Sequence, residues 1–249
     1  IFLMNILTFD IEEWFHLLEC EMTANEKNWE NFECRIFENT ERILNFLDST
    51  KQKATFFCLG WIARKYPQII RSIDSYGHQI GAHSDLHKLA YKQSKEEFIN
   101  DLKVCIESIE KITGKKVNSY RAPGFSLKRE NKWIIEELIN LGIIYDSSIF
   151  PAKRAHGGFH EFPFQEPCII KVSGNIIKEF PINTVSLLGR QIIFSGGGYF
   201  RLLPYNLIKY LVKNKNYIMT YFHPRDFDPD QPMIDDLSIM RKFKSYVGL

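Results

Sequence analysis

The sequence lacks any long apolar run, and its first residues lack the basic segment and apolar core of a signal peptide. A membrane-spanning helix needs roughly 18 to 20 consecutive apolar residues, and no stretch of this chain reaches that length. We therefore expect no membrane span. We also expect a cytoplasmic protein, unless an export signal has been removed ahead of Ile1.

The chain also has little excess charge, with a formal net charge of +2 and with its lysines and arginines spread along the sequence. Nucleic-acid-binding domains gather basic residues into a patch or stripe, so we expect no nucleic-acid partner. The five cysteines are odd in number and form no CxxC pair. This pattern fits neither a disulfide framework nor a thiolate zinc site, and it predicts reduced thiols, most of them buried.

What is present is enough apolar material for one large core, because 45% of the 249 residues are hydrophobic. Strand-like and helix-like segments alternate along most of the chain. They include a short buried strand at Ala54–Leu59 and long amphipathic helices at Ile36–Leu47 and Ser94–Ile112. This alternation is typical of parallel strands joined by crossover helices. We predict an α/β fold and a single domain over residues 1–249.

Polar residues follow several predicted strands at the point where each strand ends. In a parallel barrel, these strand ends converge on the face where active sites are built. We therefore expect side chains from distant parts of the sequence to meet there. The residues are Asp10, His83, Arg121, Asp146 and His223.

The end of the first strand, LTFDIEEWFH, carries three carboxylates. Side chains alternate along a strand, so Asp10 and Glu12 point to one face and Glu13 points elsewhere. One of the pair could bind a cation while the other acts as a general base. The alternative is that these acids only form the solvated end of a strand.

The segment HQIGAHSDLH places His83 and His87 four residues apart. One helical turn or a tight loop could direct both imidazoles at a single ion. With one carboxylate they would form a three-ligand zinc site that keeps a position open for water or substrate. The alternative is a pair of surface histidines beside a turn.

The remaining strand ends suggest supporting roles. Arg121 in YRAPGFS could orient a carboxylate base, and an amide near Gly124 could face a developing oxyanion. Asp146 could hydrogen-bond a catalytic partner or cap a turn. His223 precedes Pro224, a rigid placement that suits a general acid, although it could also be a satisfied core histidine.

Taken together, TFDIEEWFH, HSDLH, RAPGFS, YDSSIFP and YFHPRD resemble, in this order, the five signature segments of the polysaccharide deacetylase superfamily. This is the NodB-homology or carbohydrate esterase family 4 group. The chain is most similar to a bacterial branch whose first motif reads D-x-E-D-W-F-H and which carries a GGGYFRLLPY segment, here Gly196–Tyr205. Members of that branch are often associated with exopolysaccharide or surface-glycan loci.

The resemblance implies a distorted (β/α) barrel of seven or eight strands, one divalent metal that is usually Zn²⁺, and removal of N-acetyl groups from an amino sugar. The expected substrate is an N-acetylated bacterial surface glycan, an exopolysaccharide or its precursor. Matching motifs imply the following roles. Asp10 is the base, Arg121 tethers it, His223 protonates the leaving amine, and His83 and His87 bind the metal with Glu12.

Two departures from the family pattern affect these expectations. The common first motif has adjacent aspartates, whereas this chain reads D-I-E-E-W, and strand alternation favours Glu12 over Glu13 as the ligand. Asp146 is followed by Ser147-Ser148 and not by the usual Asp-Trp pair, so Phe150, Phe194 or Tyr199 would have to replace the tryptophan of the acetyl pocket. The expected substrate contacts are Trp14, Phe125, Phe150 and Tyr199, and His16, His156 and His160 could also line the cleft.

Two rival functions remain open at this stage. One is an amidohydrolase that acts on a small cyclic or ureido amide, since some relatives of this superfamily use non-sugar amides. The other is a catalytically silent glycan-binding barrel that stacks sugars on aromatic side chains. Acetate release from an acetylated glycan would separate the enzyme from the binder.

Overall fold

A computed structural model of the chain describes residues 4–153, 157–187 and 189–249. Its strands are β1 (Met4–Ile6), β2 (Thr8–Ile11), β3 (Thr55–Cys58), β4 (Gln79–Ala82), β5 (Ser119–Tyr120), β6 (Tyr145–Asp146), β7 (Cys168–Val172), β8 (Asn175–Glu179), β9 (Thr184–Leu187), β10 (Arg190–Ile193) and β11 (Tyr217–Met219). Its α-helices are α1 (Ile36–Ser49), α2 (Gly60–Lys65), α3 (Pro67–Ser75), α4 (Lys95–Thr113), α5 (Ile134–Asn140), α6 (Gly197–Leu202), α7 (Tyr205–Lys213) and α8 (Ile239–Tyr246).

The main sheet has seven strands in the order β2-β3-β4-β5-β6-β8-β7, and every neighbouring pair is parallel except β7 with β8. Leu7 separates β1 from β2, and β1 pairs in parallel with β11 on the far side. A parallel bridge between Phe9 and Phe222 continues this pairing beside β2. The α/β class predicted from the alternating pattern is confirmed.

Asn183, in the segment between β8 and β9, connects that segment to β11. Its side-chain amide donates to the carbonyl oxygen of Tyr217 at 3.0 Å and accepts from the amide of Met219 at 2.6 Å. Asn183 is buried. One side chain therefore satisfies two backbone groups of β11 that would otherwise need partners in a neighbouring strand.

Helices cover the outside of the sheet with the apolar faces that their sequences predict. Ile36, Ile43 and Leu47 of α1 are buried at helical spacing. In α4 the predicted capping box of Ser94 with Glu97 is present, and Gly114 ends the helix in the left-handed region at φ 67°. Local sequence signals and packing therefore agree for these two helices.

Other segments differ from the sequence expectation. The sequence pattern over Lys128–Leu141 predicts a helix, but that helix begins only at Ile134. The side chain of Asn131 accepts from the amide of Lys128 and donates to the carbonyl of Ser126, which forms a turn there. The predicted C-terminal helix from Ile234 begins only at Ile239. The short elements α2, α6, β7 and β9 were not predicted, since they are too brief for a periodic pattern.

The glycine triplet at the start of α6 allows two close backbone contacts. A Cβ on Gly196 would collide with the carbonyl oxygen of Tyr221, and one on Gly198 would lie 2.5 Å from the carbonyl oxygen of Lys244 in α8. Only glycine permits such approaches. The triplet thus lets α8 lie against α6 beside the carboxyl ends of the strands.

The sequence predicts neither a membrane-spanning helix nor a disulfide framework, and the structure bears on both expectations. No helix in the described part of the chain is both long and apolar enough to cross a bilayer. All five cysteines are free thiols, and Cys20, Cys58 and Cys105 are buried. The expectation of reduced, mostly buried thiols is therefore confirmed.

The contribution of the Asn183 hydrogen bonds to β11 can be tested by substitution. Asn183→Ala leaves a buried carbonyl and a buried amide without partners, so we expect the free energy of unfolding to fall by about 2 kcal/mol or more. Urea unfolding would measure the change, with the exposed Asn175→Ala as matched control. Equal stability of the two variants would contradict the assigned role.

Candidate active site

The carboxyl ends of the parallel strands surround a cleft of about 430 Å³. Seven of the expected catalytic, metal-binding and substrate-contact residues line this cleft: Asp10, Glu12, His83, His87, Gly124, Phe125 and His223. They come from the end of β2, the loop after β4, the loop after β5 and the segment after β11. The structure therefore brings together residues that lie more than two hundred positions apart, as the strand-end pattern predicts.

Arg121 holds Asp10 from behind the cleft. The Arg121 side chain is fully buried, and its Nη1 donates to Asp10 Oδ1 at 2.7 Å and to the hydroxyl of Thr8 at 2.7 Å. Its Nη2 donates to the hydroxyl of Ser147 at 3.0 Å, and the guanidinium stacks on Phe57. Asp10 Oδ2 stays turned toward the histidines, at 3.9 Å from His83 Nε2 and 4.0 Å from His223 Nε2.

The two glutamates after Asp10 have separate roles, as strand alternation predicts. Glu12 turns into the cleft, with Oε2 2.8 Å from His87 Nε2 and Oε1 3.0 Å from His223 Nε2. Glu13 turns away, and its Oε1 accepts from the backbone amides of Arg35 and Ile36, which caps the start of α1. Glu12 is therefore the carboxylate that a metal could use.

The HSDLH segment is a loop and not a helical turn. Ser84 and His87 adopt left-handed backbone conformations, at φ 70° and φ 55°, which are uncommon for residues other than glycine. Asp101 of α4 accepts hydrogen bonds from the amides of Asp85 and Leu86 and so fixes the loop. This strained backbone turns both imidazoles toward the same side.

The group formed by Glu12, His83 and His87 fits a metal ion. One ligand atom from each residue lies within 4.8 Å of the other two. His83 Nδ1 lies 2.8 Å from the carbonyl oxygen of Arg121, so that nitrogen carries the proton and Nε2 presents a lone pair to the cleft. Glu12 Oε2 is buried and lies 2.8 Å from His87 Nε2. Among the described residues it has no hydrogen bond of good geometry. Two imidazoles and one carboxylate are a known zinc donor set.

Electrostatics keep these groups in the forms that bind a cation. Burial alone would raise the pKa of Glu12, but His87 and His223 beside it hold that pKa well below its usual range. Burial lowers the pKa of His83 to about 4, so its imidazole is neutral near pH 7. An ionised carboxylate and a neutral imidazole are the states that coordinate metal ions.

His223 is oriented by Asp226, a residue that the sequence analysis gave no role. Asp226 Oδ2 accepts from the amide of His223 at 2.8 Å and lies 3.2 Å from its Nδ1. Arg201 of α6 donates to the other oxygen of Asp226. Since Nδ1 faces Asp226, Nε2 of His223 points to Glu12 and Asp10. The three-residue spacing within YFHPRD was the available signal for this pair.

Asp146 lies outside the cleft, beneath it in the barrel. Its Oδ1 accepts from the hydroxyl of Ser148 at 2.5 Å, and Ser148 in turn accepts from the amide of Ala122. Asp146 also neighbours the buried carboxyl of Glu179, and burial raises the pKa of both groups. Asp146 therefore supports the backbone beside Arg121 and makes no hydrogen bond to a residue of the cleft.

The predicted aromatic contacts are only partly placed at the cleft. Phe125 lines it, but Phe150 is buried behind Phe125, and half-exposed Tyr199 is not part of the lining. Trp14 is buried in a separate aromatic cluster, where its indole nitrogen donates to the carbonyl of Glu33. The sequence analysis missed Tyr221, which lines the cleft edge-on to both Phe125 and His223.

Of the three further histidines, His16 reaches the cleft. Its Nδ1 accepts from the amide of Glu13, so the ring proton lies on Nε2, which is buried without a hydrogen-bond partner. Burial lowers the pKa of His16 to about 3. The ring is therefore a neutral donor. His160 is exposed beside Glu161, and His156 lies outside the described residues.

Comparison with known protein families divides the chain into two parts. Residues 27–143 match the family described as polysaccharide deacetylase. Residues 147–249 match a domain of unknown function, DUF3473, which contains the GGGYFRLLPY segment and His223. Asp10 and Glu12 precede both matched ranges, so their assignment depends on the geometry above.

Known relatives include glycan deacetylases. One peptidoglycan-N-acetylglucosamine deacetylase of Bacillus cereus is 35% identical over 101 residues, which are 40% of this chain and 37% of that protein. Another from Bacillus cereus is 32% identical over 159 residues, which are 60% of this chain and 65% of that protein. The first three relatives are matched over only 37% to 41% of their length.

Solved structures share the fold. A Mycobacterium smegmatis protein classed as a polysaccharide deacetylase superposes with a TM-score of 0.64 at 20% identity, over 88% of this chain and 76% of that one. A carbohydrate esterase family 4 pseudoenzyme from Bacillus anthracis superposes with a TM-score of 0.54 at 16% identity, over 90% of this chain and 55% of that one. At these identities the likeness concerns the fold alone.

The buried pair of Asp146 and Glu179 predicts a pH-dependent stability. Because burial raises both pKa values, the folded protein keeps a proton that the unfolded chain releases near the ordinary carboxyl pKa. Stability is therefore lost as the pH rises above that value. We expect Glu179→Gln to be more stable than the parent by about 1–3 kcal/mol near pH 8, and the gain to shrink toward pH 5.

Urea unfolding at the two pH values would measure this difference. The surface variant Glu136→Gln, whose parent residue bonds to Ser173, is the matched control and should follow the parent protein. A pH-independent effect of Glu179→Gln would show that the pair holds no extra proton.

Proposed function

The chain carries a polysaccharide deacetylase domain of the NodB-homology group, and from this premise we propose that it is a metal-dependent hydrolase that removes N-acetyl groups from an amino sugar. The substrate would be a bacterial surface glycan, an exopolysaccharide or its precursor. The observation that carries the proposal is the meeting of a Glu-His-His group with Asp10 and His223 in one cleft.

Glu12, His83 and His87 would hold one divalent ion, and zinc is the expected one given two imidazoles and a carboxylate. When bound, such an ion polarises a carbonyl oxygen and lowers the pKa of water toward neutrality. Three protein ligands leave a coordination position open, which a structural zinc site would not. The carbonyl of Arg121 would keep the His83 ring in the binding tautomer.

Asp10 is the proposed general base. Its Oδ1 is held by Arg121, so Oδ2 is the oxygen free to accept a proton from the attacking water. The guanidinium pairs with the carboxylate and fixes its orientation. Gly124, which lines the cleft at φ 61°, is the proposed source of an amide donor to the oxyanion.

His223 is the proposed general acid. With Asp226 at Nδ1, the ring is held in an orientation in which a proton on Nε2 would be presented to the cleft. That proton would go to the sugar nitrogen as the bond between the carbonyl carbon and nitrogen breaks, which yields acetate and a free amine. Asp226 is thus the proposed positioning residue for the acid.

A silent glycan-binding barrel is the second candidate, because one structural neighbour is described as a pseudoenzyme. Against this candidate, Asp10 and His223 are both present, and each has its own orienting partner, Arg121 and Asp226. A binding module needs neither an oriented general base nor an oriented general acid. We therefore favour the enzyme.

Metal binding should depend on the two histidines of the HSDLH loop. We expect about one zinc ion per purified chain by elemental mass spectrometry, and its loss in the double variant His83→Ala, His87→Ala. His160→Ala, an exposed histidine away from the cleft, is the control and should keep the ion. Retention of the ion in the double variant would place the metal elsewhere.

Hydrolysis should depend on Asp10 and His223. With an acetylated chitooligosaccharide as substrate, Asp10→Asn and His223→Ala should each lower kcat for acetate release by about 100-fold or more, the usual contribution of acid-base catalysis. His160→Ala again serves as control. Near-normal acetate release in either variant would refute the assigned role, and no release by the parent protein would favour the silent barrel.

A further inference from the structure

One wall of the cleft is basic and comes from α8. Arg241, Lys244 and Ser245 all line the cleft, and their spacing of three and four residues puts them on one face of this helix. Arg201 and Arg225 line the cleft on the same side, and both donate to the carbonyl of Ser245. The lining of the cleft therefore includes four cationic side chains, Arg201, Arg225, Arg241 and Lys244.

The carboxylates of the cleft already have partners. Asp10 is paired with Arg121, and Asp226 with Arg201. Glu12 lies against His87 and His223. Each of these acids is thus compensated within its own part of the site. The two remaining acids are also engaged, since Glu13 caps α1 and Glu19 is 3.3 Å from Lys92.

Three of the cations have no such partner. Within the described ranges, no carboxylate lies within ion-pair distance of Arg225, Arg241 or Lys244. The donors of Arg241 go to the carbonyls of Leu18 and Glu19, and those of Arg225 go to the carbonyls of Trp14 and Ser245. Neutral carbonyls satisfy these hydrogen bonds without forming an ion pair, and the carboxylates of Glu12 and Asp228 act on Arg225 only from beyond ion-pair distance. Lys244 is exposed at the rim, where its ammonium can contact a ligand.

We infer that this wall binds an anionic group of the substrate, a carboxylate or a phosphate, beside the acetylated amino sugar. Lys244 would contact the anion directly, and Arg241 and Arg225 would supply positive potential from behind it. The inference deepens the proposed function and rests on it, since it names an acidic glycan or a phosphate-linked sugar as the preferred substrate class. A neutral glycan would leave these three cations without an ion pair.

Equilibrium binding tests the inference without turnover. Calorimetry on the zinc-loaded Asp10→Asn variant, in which hydrolysis should be about 100-fold slower, would compare tetra-N-acetylchitotetraose, which is neutral, with a hyaluronan tetrasaccharide, which carries carboxylates. The lysine variants described below would be made in this same background for the binding measurements. A second pair, N-acetylglucosamine and its 1-phosphate, would report on phosphate. We expect the charged member of at least one pair to bind about tenfold more tightly, a preference that weakens with added NaCl.

The variant Lys244→Gln should reduce this preference by about tenfold. Lys242→Gln, on the same helix but paired with Asp235 away from the cleft, is the matched control and should retain it. Preference in the carboxylate pair alone would identify an acidic sugar, and preference in the phosphate pair alone a phosphate-linked sugar. Equal affinities within both pairs, or equal effects of the two variants, would overturn the inference.

Acetate release from the same four compounds separates the two ideas. One outcome is that acetate is released from both the neutral and the charged compounds while the two bind with equal affinity. That result would support the proposed deacetylase activity and overturn the proposed preference for an anionic substrate. An anion preference that Lys244→Gln removes, without release from any compound, would support the basic wall as an anion-binding surface and refute the deacetylase.

Discussion

The site depends on a positive charge buried at the centre of the barrel. Arg121 has no exposure to solvent, and a buried guanidinium is tolerated only when its donors are matched. Those donors reach β2 through Thr8 and Asp10, the segment after β6 through Ser147, and the sulfur of Met219 in β11. These hydrogen bonds take the place of water around the buried guanidinium. They also connect the ends of β2, β6 and β11 to one side chain, which holds these strand ends in one arrangement.

The same residue links the proposed base to the proposed metal ligands. Its side chain binds Asp10, while its carbonyl accepts from His83 Nδ1. The loop that follows is supported from below, where Ser148 connects the amide of Ala122 to Asp146. Asp146 thus acts on the site through backbone position and not through contact, which is why it lies outside the cleft despite its place at a strand end.

Sequence reasoning predicted those parts of the site that depend on local geometry. Alternation along a strand predicted that Glu12 and Glu13 point to different sides. The four-residue spacing of His83 and His87 predicted that both imidazoles face the same point. It could not predict contacts that need tertiary packing. Arg201 reaches Asp226 from α6, whose glycines lie close to Tyr221 after β11 and to Lys244 of α8, and no local sequence pattern predicts these contacts. Trp14 was misplaced for a related reason, since the chain turns after Glu13 and buries the indole.

The two halves of the chain contribute unequal chemistry to one cleft. The segment that matches the polysaccharide deacetylase family holds His83, His87 and Arg121, whereas the segment of unknown function holds His223 and the basic wall. Neither half contains both the proposed metal ligands and the proposed acid. Since α8 is packed on α6 through Gly198, and Arg201 of α6 holds Asp226, the helix that lines the substrate side is mechanically connected to the residue that orients His223. The second half of the chain therefore contributes both the proposed acid and the basic wall to the cleft, so the proposed site is incomplete without it.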